Sequence, residues 1–178
     1  MSRRLFRAAA LATVVAALLA LPSSAIAQDR EQPSWVKDVL KRVVLDPTTY
    51  APAVIAYDAT MRDWNSSQPF FKAGFVEQND RFTVSGFSND APVDYGTGKR
   101  RILADAFGNL PMSIVNNVGV AVFDRALTRR FPEKRRLVRV LGWAERIAVA
   151  TYLAHDLAGR HYSQWRENER LASQLGLP

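Results

Sequence analysis

From Leu137 to Trp165, apolar side chains return every three or four residues. Leu137, Val140, Leu141, Ala144, Ile147, Ala148, Thr151, His155, Ala158, Tyr162 and Trp165 fall on one broad face of a helix. A strand, with its period of two, cannot gather that set on one side. The pattern predicts a helix from Pro132 to about Gln174. Its middle, Ile147 to Ala154 (IAVATYLA), is apolar all round, which implies burial on every side. Those few residues fall far short of a membrane span, which needs about 20. The chain must therefore fold by packing helices.

The other segments agree. Ser34 opens a short helix with an apolar stripe at Val36, Leu40, Val43 and Val44, ended by Asp46-Pro47. A second helix is predicted from Pro52 to Asn65, closed off by Pro69. One of its sides carries Val54, Tyr57, Met61 and Trp64, and the other carries Ala56, Ala59, Thr60, Asp63 and Ser67. Small residues at that spacing let a neighbouring backbone approach closely. From Val76 to Gly98 the pattern gives way to turn residues, and Arg81 to Ser85 (RFTVS) is the one candidate extended piece. Helical spacing resumes at Arg100, with Ile102, Leu103 and Phe107 on one side. It continues from Met112 to Leu127, with Val115, Val118, Val122 and Ala126 in a stripe. Asn116 and Asn117 interrupt that apolar run and could bond to a neighbouring helix, or, for Asn117, to solvent. The predicted fold is all-α, a bundle of four or five helices with one long irregular loop at 76–98. No linker divides residues 28–178, so they read as a single helical domain.

Ahead of that domain, Arg3, Arg4 and Arg7 precede the uncharged run Ala8 to Leu21. Pro22 breaks it, and Ala25-Ile26-Ala27 follows. This is the order of a secretory signal peptide over 1–27, which places the protein in the periplasm or against a membrane. The chain has no cysteine, so disulfides, thiol catalysis and thiolate metal sites are excluded. Its two histidines, His155 and His161, stand about 120° apart around a helix, so they make no two-histidine metal site. The formal charge is +7, and its excess is local. Arg125, Arg129, Arg130, Lys134, Arg135, Arg136 and Arg139 form a basic patch that suits anionic lipid headgroups, or else a solvated helix end. Nucleic acid is a poor partner for an exported protein. Gly96-x-Gly98-Lys99 lacks the spacing and the preceding strand of a phosphate loop.

One polar constellation stands out: Asp63, Ser67, Gly74, Glu77 and Asn79, spaced D-x3-S-x6-G-x2-E-x-N. Asp63 and Ser67 share a helix face, and Gly74 permits a left-handed turn that folds Glu77 and Asn79 back towards it. Paired carboxylates in a drying site could serve as general acid and base, or hold a divalent cation through oxygen. They could equally lock a helix to its loop by satisfying loose backbone groups. The spacing resembles that of an uncharacterised family of small bacterial helical membrane-associated proteins, with Asp80 standing where the family pattern has proline. The resemblance implies a helical, membrane-associated protein and brings no activity with it.

Two functional classes follow. The first is a noncatalytic envelope scaffold or binding module at the membrane surface, whose partner is the membrane or an envelope protein. The second is a small hydrolase or metal-dependent enzyme built on Asp63, Glu77 and His155. No nucleophile–base set is recognisable in the sequence, no cofactor is implied, and the first class is favoured.

Overall fold

In the computed structural model, residues 34–177 are described, so the leader expected at 1–27 lies outside them. The described residues are all-α, as expected. Six helices follow in order: α1 Ser34–Leu45, α2 Ala51–Lys72, α3 Tyr95–Phe107, α4 Leu110–Arg130, α5 Arg135–Ala158 and α6 His161–Leu175. Gly108-Asn109 separates α3 from α4, and Gly159-Arg160 separates α5 from α6, so the six form four helical runs. Short 3-10 turns lie at Pro47–Thr49, Asp80–Phe82 and Pro132–Lys134.

These residues group into two compact units, each made of two chain segments. The first takes 34–51 and 110–152, and the second takes 52–109 and 153–177. The crossings fall at the start of α2, at the break before α4 and inside α5. No linker composition marks them, which is why the sequence reads as one domain.

In the first unit, α1 buries Val39 and Val43, with Trp35 partly covered, against Ala121, Val118 and Val122 of α4. The expected stripe was Val36, Leu40, Val43 and Val44. The structure turns the helix by one position, about 100°, and leaves Val36, Leu40 and Val44 exposed. Helix α4 departs further from expectation. Its buried residues are Ser113, Asn117, Ala121 and Asp124, while Ile114, Val115 and Phe123 are exposed. Asn117 and Asp124 face in because side chains from other segments meet them there, as described below.

Helix α5 shows the same inversion. The face predicted to be core carries Leu137, Val140, Leu141 and Ile147, and all four are exposed, as is Trp143. The buried positions are instead Val138, Gly142, Ala150, Leu153, Ala154 and Ala158. The segment 147–154 is covered on one side only: Ile147, Ala148, Thr151 and Tyr152 are exposed, whereas Ala150, Leu153 and Ala154 are buried. An apolar circumference permits burial all round but does not bring enough neighbours to cover it.

In the second unit, Trp64, Phe82, Val93 and Ile102 form the core, with Tyr57, Met61 and Phe71 against it. Trp64 meets the rings of Phe71 and Phe82 at 5.5 and 5.4 Å between centroids. Helix α2 runs to Lys72, beyond the expected stop, with Pro69 inside its last turns. Ala53, Ala56 and Ala59 are buried, as the small-residue face of α2 suggests.

The segment 76–98 is more ordered than its turn chemistry implies. Isolated bridges pair Glu77 with Asp90 and Thr83 with Pro92. Val84 N donates to Ala91 O (2.9 Å) and Val93 N to Phe82 O (2.8 Å), and Asn89 has a positive φ of 60° at the tip. Arg81 grips Asp105 of α3 through two nitrogens at 2.9 and 2.6 Å. The start of α3 also corrects the reading, because Tyr95-Gly96-Thr97-Gly98 is its first turn. Asp94 caps it by accepting from Thr97 N at 2.9 Å.

Gly98 is in that turn for a steric reason. A Cβ there would overlap the indole ring of Trp64, so glycine is what lets the core tryptophan reach α3. Gly98→Ala should therefore destabilise the protein by ~1–3 kcal/mol through overpacking, outweighing alanine's helix-propensity advantage of up to about 1 kcal/mol. Thermal melts of the variant check this. A raised Tm would mean that the ring moves aside without cost.

Candidate functional site

The second unit gathers part of the predicted constellation around Asp63. Its carboxylate meets His161 Nδ1 at 2.7 Å through Oδ2, and accepts from Asn168 Nδ2 at 3.2 Å through Oδ1. Asn168 is buried, and its amide nitrogen also lies within 3.1 Å of Ser66 Oγ and 3.0 Å of Ser67 Oγ. Ser66 and Ser67 donate their hydroxyl protons to the backbone carbonyl of Asp63, both at 2.9 Å. Ser67 is therefore joined to Asp63 through that carbonyl rather than through the carboxylate. The cluster ties α2 to α6 with three side chains of one and two of the other.

Glu77 does not join this network by a hydrogen bond. Its Oε1 accepts from the backbone N–H of Asn79 at 2.7 Å, and Asn79 Oδ1 in turn accepts from Arg81 N at 3.1 Å. Gly74 is left-handed at φ 89°, as the turn requires. Burial pushes the Glu77 carboxyl above its ordinary range. The N–H groups of Asn79 and Gln78 oppose that rise, and the negative charge of Asp63 adds to it.

The imidazole in this cluster is His161, where the sequence suggested His155, which is exposed. His161 begins α6 just after the left-handed Gly159 (φ 49°). The sequence reading ran one helix through this point and so placed the two histidines on a common helical wheel. One turn away on α2, Asp58 accepts from Arg62 Nε at 2.8 Å and from Tyr162 Oη at 3.0 Å. Arg62 also lies over the Trp165 ring at 4.8 Å. Two open cavities in this unit are lined by residues such as Tyr162 and Arg166, or Asn65 and Ala172. Neither is lined by Asp63, Glu77 or His161.

The first unit holds a polar cluster that the sequence reading missed. Arg146 of α5 reaches Asp46 Oδ2 at 3.2 Å and Asp124 Oδ2 at 3.9 Å, and all three side chains are largely buried. Gly142, one turn earlier, has no side chain because a Cβ would overlap the Asp124 carboxylate. Asp46 also caps the following turn, accepting from Thr48 N at 3.0 Å and from Thr48 Oγ1 at 2.6 Å. Asn117 donates to Thr48 Oγ1 (3.0 Å) and Thr49 Oγ1 (2.8 Å), joining α4 to the turn after α1. The expected bond from Asn117 thus goes to a turn rather than to another helix.

Burial pushes the Asp124 carboxyl above its ordinary range, even though Arg146 and Arg42 pull it down. The geometry explains why: the guanidinium lies closer to Asp46, and the 3.9 Å contact to Asp124 recovers little of the lost hydration. Glu145 is raised for the same reason. Burial outweighs its hydrogen bond with Asn116 and the charge of Arg146, and Asp124 pushes it further up. Its Oε2 is buried with no hydrogen-bond partner among the described residues. A signal existed in the sequence, since Glu145-Arg146 interrupts an apolar run, but it reads equally well as a solvated pair.

The predicted basic patch divides. Arg125, Arg129, Arg135 and Arg139 line one groove of the first unit. Arg130 and Lys134 lie over the Phe131 ring at 5.7 and 5.5 Å, and Arg136 is exposed. Among the described residues, no three His, Cys, Asp or Glu side chains converge as a metal-binding group. Comparison of the chain with protein-family models, curated proteins and solved structures finds no match, so the geometry alone carries the functional argument.

If the Asp63 cluster is a lock, Asp63→Ala removes the carboxylate that His161 and the buried Asn168 amide share and should cost ~1–3 kcal/mol. Asn168→Ala should cost a similar amount. The double variant should fall short of their sum by ~0.5–3 kcal/mol, since neighbours in one network are not additive. Urea titrations of the three proteins measure the coupling, and strict additivity would dissolve the cluster.

A second prediction concerns pH. Because the folded state holds the Glu145 proton more tightly than the unfolded chain does, its contribution is fully present below the ordinary carboxylate range. It is lost as pH rises from that range through the raised folded value. Glu145→Gln keeps the neutral form at every pH. The variant should melt above the wild type at pH 7 and together with it near pH 4. A variant that melts lower at pH 7 would show that the ionised group is favoured.

Proposed function

We propose that the protein is an exported, noncatalytic helical module that docks on the anionic surface of a membrane in the cell envelope. The observation that carries this reading is the inverted burial of α4 and α5. Leu137, Val140, Leu141 and Trp143 are 56 to 60 % exposed. Arg135, Arg136 and Arg139 are interleaved among them in the same two turns of α5. Water disfavours that much adjacent apolar surface, and contiguous patches of this kind mark interaction sites. A lipid interface satisfies both chemistries at once. Leucine and valine enter the acyl boundary, tryptophan sits at headgroup depth, and arginine stems lie along apolar surface with their charges at phosphate. A protein partner would need a greasy groove rimmed with acid, whereas anionic lipid offers the complement as a continuous surface.

Two further features support the reading. The helical run Tyr95–Arg130, interrupted at Gly108-Asn109, is long and apolar enough to cross a membrane by length and composition. The resemblance of the 63–79 spacing to small helical membrane-associated proteins points the same way. The alternative, a hydrolase or metal enzyme built on Asp63, Glu77 and an imidazole, fares worse. The hydroxyl protons of Ser66 and Ser67 are engaged by a backbone carbonyl, and Glu77 is engaged by backbone N–H.

Sedimentation with vesicles tests the reading. The mature protein should pellet with phosphatidylcholine vesicles containing phosphatidylglycerol. Leu137→Glu/Leu141→Glu should reduce bound protein at least tenfold, with an unchanged melting curve because both positions are exposed. Wild-type protein that stays in the supernatant with every vesicle composition would overturn it.

A further inference from the structure

The exposed face of α5 has a counterpart on α1, in the same unit. Helix α1 carries two apolar stripes, and α4 covers only one of them. Val39 and Val43 are buried on α4, with Trp35 partly covered beside them. Val36, Leu40 and Val44, four residues apart, are 44, 51 and 57 % exposed. At about 100° per residue the three fill an arc of roughly 80°, contiguous with the buried stripe on one side. Lys37 and Lys41 follow within about 60° on the other side, and both are exposed. Helix stability does not explain that pair, because like charges four residues apart weaken a helix. Nor does the core explain the open stripe, since a helix packs through one apolar stripe. At the end of the open stripe, Tyr50, itself exposed, donates its hydroxyl proton to Val44 O at 3.0 Å. That bond satisfies one of the last carbonyls of α1 and sets an aromatic ring at the end of the stripe.

We infer that α1 is a second lipid-contacting helix, whose Val36, Leu40 and Val44 enter the acyl boundary of an anionic leaflet while Lys37 and Lys41 reach its phosphates. An apolar arc bordered by lysine is the pattern of a helix that lies in the plane of a membrane interface. Lysine stems cover apolar surface and carry their ammonium groups out to the headgroups. Each cation held near an anionic leaflet adds attraction. The lysine border also chooses the occupant. A second copy of this chain would offer the stripe an equally basic surface, whereas anionic lipid offers the opposite charge. The ion pair from Asp46, at the end of α1, to Arg146 of α5 and the seam on α4 hold both apolar faces on one unit. Two contacts on one body strengthen each other, since the first raises the effective concentration of the second. The inference rests on the membrane reading for its occupant and adds a second place where the unit touches lipid.

The chain has no cysteine, so one introduced thiol can be labelled uniquely. Leu40→Cys and Asp38→Cys of the mature protein are each labelled with an environment-sensitive nitrobenzoxadiazole dye. Asp38 is exposed too, about 160° around the helix from Leu40, and serves as the control. Each protein is titrated with phosphatidylcholine vesicles with and without phosphatidylglycerol. With anionic vesicles the label at 40 should shift to the blue and brighten at least about twofold, and the label at 38 should not. Unlabelled Val36→Glu/Leu40→Glu should lose at least about tenfold in vesicle affinity, with an unchanged melting curve because both positions are exposed. Lys37→Gln/Lys41→Gln should lose roughly tenfold for the anionic vesicles alone. Vesicle binding by the wild type, with the label at 40 left in water, would overturn the inference and leave docking through α5 intact. A blue shift at 40 that follows protein concentration without vesicles would put a second copy on the stripe and overturn lipid as its occupant. Wild-type protein that binds no vesicle would overturn the inference together with the membrane reading.

Discussion

Arg146 is the residue on which the first unit turns. A guanidinium drawn out of water must be met by negative charge and hydrogen-bond acceptors, or the helix that carries it cannot pack. Here Asp46 comes from the end of α1 and Asp124 from α4, and the backbone of α5 gives way at Gly142 to let Asp124 approach. That demand orients three segments. Once α4 turns Asp124 and Asn117 inward, its geometry carries Ile114, Val115 and Phe123 outward. The exposed apolar surface is the other face of a decision made by buried polar groups.

Such a cluster does not by itself make a unit stable. Bringing ions together inside a protein costs desolvation that Coulomb attraction only partly returns, and the raised carboxyls of Asp124 and Glu145 express that shortfall. What the cluster supplies is specificity: one rotation of α4 and one of α5, set by where the charges can meet. The surface that results carries leucine, valine and tryptophan among arginines, a combination that an anionic lipid interface accommodates.

The second unit is organised by the opposite means. Its core is aromatic, with Trp64 pressed between Phe71, Phe82 and the glycine turn of α3, and its polar cluster serves as a clasp between α2 and α6. The long connection from 76 to 94 is held against this core by buried Phe82, Thr83 and Val93, so its turn residues describe its path rather than any looseness. Polar groups at Asp63 find partners from α6, not from the loop that the five-residue spacing singled out.

The sequence by itself determined that the chain is helical, because periods of three and four, proline punctuation and the lack of alternating runs leave no other secondary structure. It also marked Asp63 and Ser67 as sharing one helical face and Gly74 as a left-handed turn, since those are local consequences of spacing and sterics. Which face of each helix would be buried was decided only in the tertiary structure. In α1 and α5 a different apolar side was buried from the one the spacing favours, and in α4 both an apolar and a polar stripe were available, of which hydrophobic periodicity favours the apolar one. The choice went to the side of Asn117 and Asp124 because Thr48, Thr49 and Arg146, from other segments, came to meet them. The partner of Asp63 was settled in the same way, by a break at Gly159-Arg160 that made His161 the start of a new helix. Periodicity reports what one segment can offer, whereas burial depends on what another segment brings.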